Sequence, residues 1–447
     1  METVPNHPRP AEGRTESILS SDDFTVIADR SKAAGYDEWE SQHKNKREHQ
    51  SEAQLEAELI ETLKTQGYDY LPHLTDETAL IRNLREQLER LNTRPEEGAY
   101  GPNSGFHFTD EEFNRLLTEH IARSNDGILE KAKLIQEERF IDFRLEDGTL
   151  RNIMLIDAAY PARNRMQVIN QYRVPASNGK VLNRYDVTIL VNGLPLVHIE
   201  LKKRNVSIRE AFNQIERYQN EGFQQDQHRL FEYAQIFVIS NGFETKYYSN
   251  TVRHKHIEDQ QTASRKTADG GSAGKSFDFT SYWSDEQNNR INDLILFART
   301  FLTRHTLANI LTRYCIFTVG QDLLVMRPYQ IAATEKIIKR VEIANNNPKI
   351  LGTKEAGGYI WHTTGSGKTL TSFKTARRLA ETGLVDKVIF VVDRKDLDYQ
   401  TMLEYNNFQA DSVSSTGSTR ELSERLADRG TNIVVTTIHK LSNLITA

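Results

Sequence analysis

The chain has 447 residues, a formal net charge of −5, 38% hydrophobic and 27% charged residues, and a single cysteine, Cys315. At about 100–200 residues per domain this length leaves room for two to four domains, and the lone cysteine excludes a disulfide framework and a cysteine zinc site and favours a reducing compartment. No apolar run of about 18 residues is present, which excludes a transmembrane helix, and the N-terminus lacks the apolar stretch of a secretory signal, so the cytoplasm is the expected location. A mildly acidic balance does not exclude nucleic acid, because whole-chain charge says nothing about a local basic cleft.

Residues 1–50 are rich in Pro, Ser, Asp, Lys and His with little periodicity, and read as a polar, weakly ordered leader. A folded domain is expected over 51–310. It opens with a helix from Ser51, where Leu55, Leu59, Ile60 and Leu63 fall at helical spacing and Gly67 marks the stop. Amphipathic segments follow at 75–92 and 109–121, then strand-like runs at 139–145, 151–157, 166–174, 185–191 and 196–202, a helix over 207–221 and a strand at 235–240. Ser207 and Glu210 have the spacing of a capping box, and Ala211, Ile215 and Tyr218 share one face. The Gly/Ser/Ala-rich stretch 261–276 reads as a loop, and 285–303 as a helix. After a connector at 311–327, a second domain over 328–447 alternates strand (358–362), Gly-rich loop, helix (369–382), strand (387–393), helices and strand (432–437). That pattern predicts a parallel sheet with crossover helices, so both domains are α/β.

The run from His362 to Thr369 lies between an expected apolar strand and a helix, the context of a phosphate-binding loop. The backbone around Thr364, Gly365, Ser366 and Gly367 can wrap a phosphate with its N–H groups. Lys368 can reach the terminal phosphates and Thr369 can offer a hydroxyl to Mg²⁺. His362 replaces the usual first glycine. Upstream, Arg327-Pro328-Tyr329-Gln330 resembles the adenine-reading element of superfamily 2 helicases, with Gln330 on the base edge. The strand ends at 391–400 and 436–441 fall where that superfamily grips a nucleic-acid backbone. No Asp-Glu box follows Asp428, so the hydrolysis site is expected to be incomplete, as in the front portion of a longer motor or a truncated product.

The second constellation lies over 184–205. Asp186 opens one strand, and Glu200-Leu201-Lys202 lies in the next, with Glu200 and Lys202 on one face and Ile199 and Leu201 on the other. Two carboxylates and a lysine suit phosphodiester hydrolysis: acidic oxygens hold Mg²⁺ beside the scissile phosphate and a cation orients or deprotonates water. Asp186 can face Glu200 only if the intervening loop has an odd number of residues. A three-residue loop over Asn192–Leu194, or a five-residue one, is therefore expected, with Gly193 at positive φ. On the following helix Gln214 and Tyr218 are i and i+4 and share a face, offering an amide and a phenol to the same cleft.

Asp186, Glu200-x-Lys202 and Gln214-x-x-x-Tyr218 resemble the PD-(D/E)xK nuclease motif with its RecB-like extension, and this nuclease precedes a helicase-type phosphate-binding loop. In that order the chain, over about 51–447, resembles the restriction (motor and endonuclease) subunit of type I restriction-modification enzymes. Tyr185 stands where the motif's proline would be. The resemblance implies a RecB-like nuclease domain followed by the first, incomplete RecA-like lobe of a superfamily 2 motor. It also implies that Asp186 and Glu200 ligate Mg²⁺, with Thr369 a further Mg²⁺ ligand at the ATP site. Lys202 would assist the attacking water, and Gln214 and Tyr218 would position double-stranded DNA. The implied partners are modification (methyltransferase) and specificity subunits, with S-adenosylmethionine bound by them. Glu56 or Glu58 could add an acidic group from the first helix. The competing readings are a helicase or remodelling ATPase with a non-catalytic DNA-binding N-terminal module, and an inactive truncated fragment.

Overall fold

The structure, a computed structural model, describes residues 27, 50–93, 105–175, 181–218, 223, 227–251, 279–393, 395–408, 414–415, 418–430 and 432–446. The polar leader and the Gly/Ser/Ala-rich loop therefore lie almost wholly outside the described residues. Helix α1 (Glu52–Thr65) starts where the sequence places it: the Ser51 side chain accepts from the Gln54 N–H, and the Gln54 side chain returns the bond to the Ser51 N–H. Its apolar stripe, Leu55, Leu59, Ile60 and Leu63, is buried, and Gly67 follows at φ +86°.

The first module is built on one six-stranded sheet. In chain order its strands are β1 (Asp69–Tyr70), β2 (Met166–Pro175), β3 (Val181–Val191), β4 (Leu194–Leu201), β5 (Ile236–Ser240) and β6 (Thr245–Ser249), and neighbours in sequence are neighbours in space. Only β1–β2 and β4–β5 are parallel pairs. The β4–β5 crossover carries helix α3 (Ile208–Arg217) on the sheet. Every residue of β4 and β5 is buried, which fits central strands covered on both faces. Helix α2 (Glu77–Asn92) lies between β1 and β2 in the chain, and a separate hairpin, Phe140–Arg144 with Leu150–Met154, stands outside the main sheet.

Two expectations fail here. Residues 285–293 are not helical: Trp283–Ser284 pairs with Arg290–Ile291 in a small hairpin, and the helix begins at Leu294 because Asp293 caps it through the Ile295 and Leu296 N–H groups. Residues 358–362 form no strand. Tyr359 and Trp361 are 89% and 87% exposed, and the second module's sheet contains only Val388–Val392, Ile433–Thr437 and Ser414–Ser415 among the described residues. Apolar residues alone do not make a strand without a ladder partner.

That sheet is parallel throughout, as the alternation predicts. It packs against helix α4 (Lys368–Thr382), which follows the Gly-rich loop. The connector does more than link the modules. In the hairpin Cys315–Phe317 with Leu323–Val325, Cys315 and Phe317 join the first module's core while Ile316 joins the second core with Phe373, Tyr405 and Ile433. Side-chain alternation along one short strand thus serves two cores.

Candidate active site

The loop joining β3 to β4 contradicts the expectation of three or five residues. It is a two-residue turn, Asn192-Gly193, with both residues at positive φ (50° and 85°) and Val191 paired to Leu194. The tight turn is held from outside the hairpin. Asn192 donates to the Leu155 carbonyl at 3.0 Å and to Asn164 Oδ1 at 2.8 Å, and a Cβ on Gly193 would lie 2.6 Å from Leu84 Cα.

Such a turn alone would set Asp186 on the face away from Glu200. A β-bulge restores the parity. Leu190 pairs with Pro195 but Ile189 pairs with Val197, so Leu196 is the extra residue. Pro195 has no N–H to give the ladder, and the Leu196 carbonyl turns out of the hairpin to accept from the Gln235 N–H at 2.8 Å. Beyond the bulge Thr188 pairs with His198 and Val187 with Ile199, so the next residues, Asp186 and Glu200, are opposite and share a face.

At that point Asp186 Oδ2 accepts from the Leu201 N–H at 2.9 Å, and Lys202 Nζ donates to Glu200 Oε1 at 3.0 Å and to the Leu201 carbonyl at 2.9 Å. Glu200 is fully buried. Burial, and then the adjacent Glu200 carboxylate, push Asp186 up to about 7. Burial likewise pushes Glu200 up to about 7 even though the Lys202 ammonium pulls the other way. His198 lies on the same face, its Nδ1 3.2 Å from Thr188 Oγ1 and its Nε2 3.5 Å from Glu200 Oε2, and burial holds it down to about 4, so the ring is neutral near pH 7.

Glu56, not Glu58, faces this region. It accepts from Asn170 Nδ2 and Gln171 Nε2, each at 2.5 Å, and burial, with a contribution from Asp186, raises its carboxyl. Glu58 instead accepts from Gln50 at 2.6 Å. Gln214 of helix α3 and Tyr218, the residue that caps its C-terminus, form a brace. Gln214 donates to the Tyr218 hydroxyl, and that hydroxyl donates to the Arg184 carbonyl at 3.1 Å, two residues before Asp186. Tyr218 is 2% exposed, so its phenol holds the Asp186 strand rather than presenting a ring to solvent. The sequence reading missed Thr188, His198 and the Asn170-Gln171 pair. His198 was findable, since it lies two residues before Glu200 in a strand.

The donor set suits a hard divalent cation. Two carboxylates crowd one another in a buried setting, and Glu200 Oε2 lacks a hydrogen-bond partner. Among the described residues no three acidic, His or Cys side chains stand close enough to form a ready-made metal cage. The residues present therefore fit a cation that keeps other ligands from water or substrate.

In the second module Gly365 and Gly367 adopt φ +76° and +77°, and Lys368 begins α4 directly after them. Lys368 Nζ donates to the Thr363 carbonyl at 2.9 Å, Ser366 Oγ donates to the same carbonyl at 2.7 Å, and Thr369 stands in the first turn of α4. Gln330 is 4% exposed. Its Nε2 donates to the Ser366 carbonyl at 3.0 Å, its Oε1 accepts from the Arg327 N–H at 2.8 Å, and Tyr329 also donates to Ser366 at 2.9 Å. Gln330 thus braces the loop from behind. Thr364 is exposed at the loop tip.

Comparison with known proteins agrees with both modules. Residues 49–256 match the model of the type I restriction enzyme R protein N terminus, and residues 329–446 match that of the SWI2/SNF2 ATPase. The EcoprrI endonuclease subunit of Escherichia coli, a type I restriction enzyme, is 40% identical over 348 residues, which is 78% of this chain and 97% of that protein. The type I SsaAORF53P endonuclease subunit of Staphylococcus saprophyticus is 40% identical over 398 residues, or 89% of this chain, and the chain spans only 37% of its length. The HindI endonuclease subunit of Haemophilus influenzae is 27% identical over 268 residues. A nuclease-like module with paired buried carboxylates, an ATPase module behind it, and 40% identity across nearly the whole of one such subunit lead to one assignment: the chain belongs to the family of type I restriction enzyme endonuclease subunits.

Proposed function

We propose that the chain carries the PD-(D/E)xK endonuclease module and a RecA-like ATP-binding module of a type I restriction enzyme. It acts in the cytoplasm on unmodified foreign double-stranded DNA, in complex with modification and specificity subunits that bind S-adenosylmethionine and read the recognition site. The observation that carries the reading is the Leu196 bulge, which aligns Asp186 with Glu200 where a plain two-residue hairpin would separate them.

Asp186 and Glu200 would hold Mg²⁺, which, when bound, supplies Lewis-acid activation of water and offsets charge on the scissile phosphate. Lys202 orients the Glu200 carboxylate and places an ammonium where an incoming phosphate or water can be hydrogen-bonded. Glu56 adds negative potential and is held by Asn170 and Gln171. The Gln214–Tyr218 brace fixes the strand that carries Asp186 and would position the DNA through that strand. At the second site the N–H groups of residues 364–367 would cradle the nucleotide phosphates. Lys368 would exchange its bond to Thr363 for a phosphate oxygen, Thr369 would ligate Mg²⁺, and Gln330 would meet the adenine edge only by giving up its bonds to Ser366 and Arg327. In the assembled enzyme ATP turnover drives DNA past the complex. Replacing Asp186 by Ala in the complete complex is expected to abolish DNA cleavage while ATP consumption continues; cleavage that survives the change overturns the reading.

A further inference from the structure

Between the two modules lies a cavity of about 580 Å³ that neither the nuclease site nor the phosphate-binding loop uses. Its wall from the first module includes Lys133 and Arg139, and its wall from the second includes Lys374, Arg377 and Glu381 of helix α4. Two features set it apart from an ordinary charged surface.

The first is Lys374. It is 6% exposed, and its Nζ has one hydrogen bond, a long 3.4 Å contact to the Cys315 carbonyl. A buried ammonium with three donors and one weak acceptor is poorly satisfied. Burial, and then Arg377, depress it to about 7. The second feature is the company it keeps. Glu381 is shared by Arg377 and Arg378, each at 3.2 Å, and Arg139 is spent on the Gln136 and Thr312 carbonyls, each at 3.2 Å. Outside the cavity lining, Arg313 Nε and Arg378 Nε are buried without acceptors. The acidic side chains lining the cavity are Glu137 and Glu381, against Lys133, Arg139, Lys374 and Arg377. A cavity wall that holds the poorly satisfied Lys374 ammonium among Lys133, Arg139 and Arg377 calls for an anion with several acceptor oxygens.

We propose that this cavity is a second anion site, which takes a phosphate group between the nuclease and ATPase modules, with Lys374 and Arg377 as its principal donors. Phosphate offers the required oxygens, and it comes either from the DNA backbone or from a free nucleotide or pyrophosphate. Helix α4 carries Lys368 at its first residue and Lys374 and Arg377 further along. An anion held here therefore bears on the helix that opens at the ATP phosphates. The inference does not depend on the nuclease assignment.

The test uses the full chain carrying Lys368→Ala, which disables the phosphate-binding loop, with calorimetric titration of inorganic pyrophosphate and of a short DNA duplex. Pyrophosphate is expected to bind, and Lys374→Met, which keeps the buried volume, is expected to weaken it by about 10- to 100-fold, the range for losing a charge-assisted hydrogen bond. Arg377→Gln, at a partly exposed position, is expected to weaken it by about tenfold without changing the melting temperature, and so reports on the site if Lys374→Met fails to fold. Duplex binding that pyrophosphate displaces and Lys374→Met weakens identifies the DNA backbone as the source; pyrophosphate binding without duplex binding identifies a free phosphate compound. No pyrophosphate binding, or binding unchanged by both substitutions, overturns the proposal.

Discussion

Asp186→Asn is expected to make the protein more stable near pH 8 in the absence of divalent cations. The Asp186 carboxyl ionises near 3.8 in an ordinary setting and near 7 in the fold, so keeping it charged above pH 7 costs roughly 4 kcal/mol at about 1.4 kcal/mol per tenfold in proton affinity. The sign follows from proton binding. Below about pH 4 the carboxyl is neutral in both folded and unfolded states and the penalty vanishes. Between about 4 and 7 the unfolded chain releases a proton that the fold retains, so stability falls as pH rises, and above 7 the loss is complete. Asparagine keeps an oxygen for the Leu201 N–H but carries no charge toward Glu200. Part of the gain is offset by burying the new amide, which leaves a net stabilisation of about 1–2 kcal/mol near pH 8. Urea melts of parent and variant across pH 4.5 to 8, with and without Mg²⁺, measure it. The parent is expected to lose stability with rising pH and to regain it with Mg²⁺ by preferential binding to the fold, and the variant to show a shallower pH slope and a weaker Mg²⁺ response. A variant less stable than the parent near pH 8, with an unchanged pH slope, refutes the reasoning.

Three further outcomes follow from the packing. Gly193→Ala combines φ +85° with a Cβ 2.6 Å from Leu84 Cα, a backbone atom that cannot swing aside, and is expected to cost about 3 kcal/mol by urea melting; a loss under about 1 kcal/mol contradicts the α2–turn contact. Tyr218→Phe leaves the ring but removes the hydrogen bond to the Arg184 carbonyl, so it is expected to cost about 1 kcal/mol of stability and to slow DNA cleavage by the complete complex, with unchanged cleavage as the contrary result. Lys131 and Glu232 form a buried pair at 2.7 Å, and Lys131→Met is expected to cost about 3 kcal/mol because Glu232 keeps only Arg229; a neutral effect argues against the pair.

The sequence showed where the chemistry lies but not how the chain arranges it. Helical spacing from Ser51, the alternation in 185–202 and the Gly-rich loop opening a helix at Lys368 follow from local rules, and those elements stand where they were read. The turn after β3 was misread because an odd-numbered loop was expected where the chain uses an even turn corrected by a bulge. Asn192-Gly193 is the commonest signal for a two-residue turn, and what reconciles it with Asp186 and Glu200 is Leu196, whose carbonyl partner, Gln235, is nearly forty positions along the chain. No local pattern carries that information. The segment 358–362 failed for a related reason: apolar content says that a strand is possible, while a ladder partner decides it. Tyr218 likewise satisfied the helical spacing, but only the tertiary contact to Arg184 shows that its hydroxyl braces the carboxylate strand.

The central claim is that a register set by one bulged leucine brings two carboxylates to a single cation. It is tested most directly by titrating Mn²⁺, followed by its paramagnetic resonance signal, into the full chain and into the Glu200→Gln variant carrying Lys368→Ala to remove nucleotide-site metal. With Lys368→Ala present in both, the account predicts that Glu200→Gln weakens binding by tenfold or more, the effect of losing one charged ligand of a pair. Equal Mn²⁺ affinity in the two proteins would contradict it.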